Sequence, residues 1–162
     1  MKKLFILISL VIGLSAPASA QEIFKAILKE AKTVVNNPKS NITLAKIAQF
    51  KCTGLQYIHD KAIESKHQVT TKFLDDQAYY MNLFINSFIK DALINTTLSK
   101  SEKKKCILLF IDASGSNPLF NDPDKEVVHA YVTTENQLTP FSLDTDWVKA
   151  YTAVQSKLGN KK

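Results

Sequence analysis

The chain has 162 residues, 45% of them hydrophobic, and a formal net charge of +6, which is enough for one domain with a real core. All 21 basic residues are lysine. Without arginine the chain lacks the forked donor that reads guanine or clamps phosphate, so nucleic-acid binding is not expected.

Met1 to Ala20 combines Lys2 and Lys3, the apolar run Leu4 to Leu14 and the small residues Ala18-Ser19-Ala20, the layout of a secretory signal peptide. Cleavage after Ala20 is expected, leaving a single domain over residues 21–162, exported to the periplasm or beyond and with no membrane span after cleavage. No cysteine stands near the cleavage point, which argues against a lipid anchor. Losing Lys2 and Lys3 lowers the net charge from +6 to +4.

From Gln21 to Val35 the apolar residues Ile23, Phe24, Ile27, Leu28, Ala31, Val34 and Val35 recur at three-and-four spacing, one stripe of a helix. Asn36-Asn37-Pro38 ends it. A second helix is predicted from about Asn41 towards Ser65, with Leu44, Ala48, Leu55, Ile58 and Ala62 on its stripe. Gly54 lies inside it, which calls for a close-packed neighbour or a bend. The third helix is predicted to run to about Ile94, burying Phe73, Leu74, Ala78, Met81, Phe84, Ile85, Phe88 and Ile89. Gln77 shares that stripe and needs partners there, most simply as a structural cross-link.

Six residues without a polar side chain, Cys106 to Ile111, predict a segment at the centre of the fold. Ser99 and Glu102 have capping-box spacing, and Gly115 followed by Pro118 has the form of a helix stop. Lys100 to Ser114 is therefore read as a buried helix with Gly115 at positive φ; the competing reading is a central strand. Lys100 and Lys103 to Lys105 then form a solvated first turn. Asn121-Asp122-Pro123-Asp124 predicts a cap and an acidic first turn of a short helix through Val127, Val128, Tyr131 and Val132, with an extended hairpin through residues 127–143 as the alternative. Leu143, Asp144 and Val148 read as a staple and cap for a last helix bearing Trp147, Tyr151, Val154 and Leu158. The expected fold is all-α, a compact bundle of five or six helices.

Asp112-Ala113-Ser114-Gly115-Ser116 resembles the metal-ion-dependent adhesion motif of von Willebrand A domains, which implies a divalent cation shared by Asp112, Ser114 and Ser116. Too little chain follows for the strand–helix crossovers of that family. Asp122, Asp124, Asp144 and Asp146 sit at two loop-to-helix junctions. If these meet they form a calcium-type oxygen cluster, whereas separately they are helix caps. Glu64 and His67 have one copy of the di-metal bundle spacing. His59 reads as a core histidine. Cys52 and Cys106 both occupy apolar positions; in an oxidising compartment they are either bridged or two buried thiols.

Four blocks, Ala48-Gln49-Phe50-Lys51, Phe73-Leu74-Asp75-Asp76-Gln77-Ala78, Asn117 to Asp122 and Thr139 to Trp147, resemble a family of uncharacterised exported helical proteins of the Bacteroidota. The resemblance implies a cell-envelope or secreted location and carries no activity, cofactor or site residue. The function expected from the sequence is a non-catalytic binding or structural helical module without a cofactor, its partner an envelope protein. The alternative is a divalent-metal-dependent protein using Asp112, Asp122, Asp124, Asp144 and Asp146.

Overall fold

The computed structural model describes residues 22–64, 70–128 and 140–159. Among them the chain is helical with no strand: α1 (Glu22–Asn36), α2 (Ile42–Glu64), α3 (Thr71–Ser87) continued by a π-helical turn (Phe88–Leu93), α4 (Lys100–Gly115), α5 (Lys125–Val128) and α6 (Trp147–Gly159). Of the proposed hairpin, residues 129–139 lie outside the described residues. Its flanks are the α5 turn and an irregular segment, 140–146.

α1 buries Phe24, Ile27 and Ala31 against α2 and α3. Its first turn is held from another helix, since the Phe24 amide donates to Asp75 Oδ1 on α3 at 2.8 Å, satisfying one donor that a helix start leaves open. α2 begins where Asn41 Oδ1 accepts the Thr43 amide at 2.9 Å. Gly54 serves close packing: a Cβ there would stand 3.0 Å from Cε of Met81 on α3. That contact leaves no room for a side chain unless the fully buried Met81 moves.

α3 starts at Thr70, whose hydroxyl accepts the Phe73 amide at 3.1 Å. It ends earlier as an α-helix than its apolar stripe suggests. From Phe88 the backbone widens into the π turn, closed by the Ile94 amide donating to Ile89 O at 2.9 Å. Phe88 and Ala92 stay buried, while Phe73 and Ile89 are only partly covered.

The capping box of α4 forms as expected, with the Ser99 amide on Glu102 Oε2 at 2.9 Å and the Glu102 amide on Ser99 Oγ at 3.3 Å. Its apolar run does not lie at the centre. Only Cys106 and Phe110 of that run are buried, Ile107, Leu109 and Ile111 are partly covered, and Leu108 is 51% exposed. Among the described helices the α4 backbone lies close only to α6 and the π turn, with the Phe110 ring reaching Phe84 of α3, too few neighbours to enclose a run that is apolar on every side. Gly115 corrects a second expectation. Among the described residues no glycine has positive φ, the helix runs through Gly115, and Ser116 at φ −87° is the C-cap. Among the described residues the left-handed one is Asn121, at φ 54°, in the conformation that asparagine tolerates best after glycine.

The centre falls on Phe141. Its ring meets those of Phe88, Phe84, Phe50 and Trp147 edge-on, with centroids 5.0, 5.2, 5.9 and 6.4 Å away. All five are essentially inaccessible to solvent. The favourable edge-to-face geometry of each pair adds to the area buried. The irregular segment 140–146 thus supplies the ring around which α2, α3, the π turn and α6 assemble.

Candidate functional site

The geometry of the sequence-predicted acidic residues decides between a metal centre and structural caps. Asp144 does not cap α6. It is 2% exposed, and its carboxylate gathers three amides of the preceding loop: Leu119 and Phe120 on Oδ1 at 3.0 and 2.7 Å, Asp122 on Oδ2 at 2.9 Å. The cap of α6 is Asp146, whose Oδ1 accepts the Lys149 amide at 3.2 Å. Gln77 completes the junction as a cross-link, accepting the Trp147 amide at 2.9 Å and donating to Asp146 Oδ1 at 3.4 Å.

Asp122 is equally buried and equally committed. Tyr57 donates to its Oδ2 at 2.8 Å, Lys61 lies 3.1 Å from the same oxygen, and the Asp124 amide donates to Oδ1 at 3.0 Å. Burial alone would raise its pKa, but the Asp124 amide, the Tyr57 hydroxyl and Lys61 together hold it below the ordinary carboxylate value. The Tyr57 phenol is pushed the other way, by burial first and then by its bond to Asp122. Within the Asn121 to Asp124 block it is Asp124 that caps α5, by accepting the Val127 amide at 3.1 Å.

The adhesion-type motif is split by its helix. Asp112 faces solvent, 3.8 Å from Lys157 and holding the Ser116 hydroxyl at 3.3 Å. Ser114 turns inward, fully buried, between Thr145 Oγ1 at 2.8 Å and the Ser142 amide at 3.0 Å. Among the described residues no group of three His, Cys, Asp or Glu side chains gathers as a metal site. The aspartate oxygens of the two junctions are taken up by backbone amides, the Tyr57 hydroxyl, the Gln77 amide and the ammonium groups of Lys61 and Lys149.

His59 departs from the core reading: it is partly exposed, beside Asp60 at 3.0 Å and the Phe24 ring at 6.2 Å. Glu64 pairs with Lys61 at 3.1 Å, and His67 lies outside the described residues. Cys52 and Cys106 are separate thiols. They stand on α2 and α4, no Cα atoms of which approach within 8 Å, beyond the roughly 7 Å that a disulfide spans.

The concave site lies elsewhere, where α1, α2, α3 and the π turn leave a cleft of about 570 Å³ between them. That volume falls within the roughly 300–1,000 Å³ of small-molecule sites. Its walls are largely apolar, among them Ile27, Val34, Leu44, Ile47, Leu83 and Leu93. Lys51 enters it from α2. Its ammonium donates to Asn82 Oδ1 at 2.5 Å, and desolvation by burial pulls its pKa down to about 8, with Glu30 acting in the opposite direction. A π turn at the edge of a cleft matches where such turns are usually found, at functional sites.

The sequence carried a signal for Lys51 that its hydropathy concealed. It is four residues from both Ile47 and Leu55, each buried, so it belongs to the inward stripe of α2. No family model, no curated protein and no solved structure matches the chain.

Proposed function

We propose that the protein is an exported, non-catalytic binding module of the cell envelope that takes its ligand in the cleft between α1, α2 and α3. The observation that carries this reading is the cleft itself: an apolar-walled space of about 570 Å³ with one withdrawn ammonium, the combination of greasy walls and few polar groups typical of ligand sites. The leader-like Met1 to Ala20 and the likeness to exported Bacteroidota proteins support the location.

Nile red, a neutral polarity-sensitive dye, tests the cleft. One dye should bind per chain, and filling the space with Ala48→Phe or Ser87→Trp, two lining residues, should abolish it while the melting transition survives. Dye binding that persists in both filled variants overturns the proposal. Intact mass tests export: the product recovered outside the inner membrane should begin at Gln21, and one retaining Met1 or carrying lipid overturns that part.

A further inference from the structure

We infer that the ligand of this cleft is an acyl-chain monocarboxylate, with its tail along the apolar walls and its carboxylate on the Lys51 ammonium. The inference rests on the cleft being the binding site and adds the chemistry of what enters it.

Lys51 carries the choice of head group. An ammonium has three donors, and among the described residues one of them is engaged, through Asn82. Among the described residues no carboxylate lies within the 4.0 Å of an ion pair with it, in contrast to Lys61, Lys72, Lys149 and Lys157. A withdrawn cation with donors to spare in an apolar setting gains most from an anion that brings its own greasy body.

A single negative charge fits better than two. Glu30 lines the same cleft and repels a dianion, whereas one carboxylate meets Lys51 with the neutral Asn82 and Asn86 beside it. Asn82, Asn86 and Lys90 recur at four-residue spacing, so α3 and its continuation present one polar strip. Asn86 and Lys90 line the cleft. The size of the cleft favours a small molecule over a docked helix, which is roughly 10–12 Å across and would fill it in little more than one turn.

The test is calorimetric titration of the purified protein with laurate, dodecanol and dodecyltrimethylammonium, which share a chain and differ in head charge. Laurate should bind at least tenfold more tightly than dodecanol, and the cation should bind most weakly. Lys51→Met should erase the preference for laurate over dodecanol while dodecanol binding persists; Lys104→Met, on the exposed side of α4 and away from the cleft, should preserve the preference. Equal affinity for laurate and dodecanol in the wild type, or a preference that survives Lys51→Met, overturns the inference and leaves the binding-module reading standing. Failure of all three amphiphiles together with Nile red sinks both.

Discussion

The Tyr57 hydroxyl donates to Asp122 Oδ2 at 2.8 Å across 65 residues of sequence, tying the middle of α2 to the loop that precedes α5. Both groups are buried, so the bond is made to a charge in a poorly solvated place and is worth more than a neutral surface pair.

Tyr57→Phe should therefore destabilise the protein by about 2 kcal/mol, read from the denaturant midpoint at unchanged slope. The acid limb gives a second readout. Asp122 has a folded-state pKa below its ordinary 3.8, so its contribution is fully present above that value and disappears as pH falls through the lower folded one. Asp122→Asn should flatten the loss of stability on that acid limb. An acid limb identical to the wild type's would show that the Asp122 charge is not stabilised by folding.

Asp144 and Asp146 should separate by magnitude. Asp144 holds three amides and Asp146 caps one helix, so Asp144→Ala should cost about 3 kcal/mol and Asp146→Ala about 1 kcal/mol. Thermal or chemical unfolding of the two variants side by side decides it. Equal losses would return Asp144 to the role of a simple cap.

This pair also shows how far the sequence reaches. Helix existence was legible because α1, α2 and α3 carry one-sided stripes, and the Ser99–Glu102 box is local chemistry that needs no tertiary partner. Which aspartate caps and which clasps was not legible, because the three amides held by Asp144 are 22 to 25 residues away in sequence. The Cys106 to Ile111 run misled for a related reason. Hydropathy reports how much a segment gains from burial, and only the number of available neighbours decides whether it is buried; Leu108 has too few. Lys51 was hidden by its own polarity, although its spacing from Ile47 and Leu55 put it on the inward stripe.

Gly115→Ala should stabilise the protein, by up to about 1 kcal/mol. The residue lies in the last turn of α4 at negative φ, and a Cβ there meets nothing within 4 Å. Alanine then gains helix propensity and loses unfolded-state freedom without a clash. A drop in melting temperature would restore the left-handed stop that the sequence suggested.

Lys51 should make the wild type less stable than Lys51→Met near neutral pH, by roughly 3 kcal/mol. Its folded pKa is about 8 against an ordinary 10.5. Below the folded value the amine is charged in both states, and the whole desolvation cost is borne by the fold. Between about 8 and 10.5 the unfolded chain binds the extra proton, so wild-type stability rises with pH relative to Lys51→Met, and the gap narrows towards its neutral-amine value. Glu30 on α1 and Cys52 on α2 act on the same ammonium, Lys90 lines the same cleft from the π turn, and α3 contributes the neutral Asn82 and Asn86. Taking the wild type minus Lys51→Met cancels their own titrations to first order. Laurate should then raise the melting temperature of the wild type more than dodecanol does, and that of Lys51→Met no more than dodecanol does. A difference in stability that stays flat from neutral to alkaline pH would mean that the ammonium is well solvated, and the cleft would lose the charge that selects its ligand.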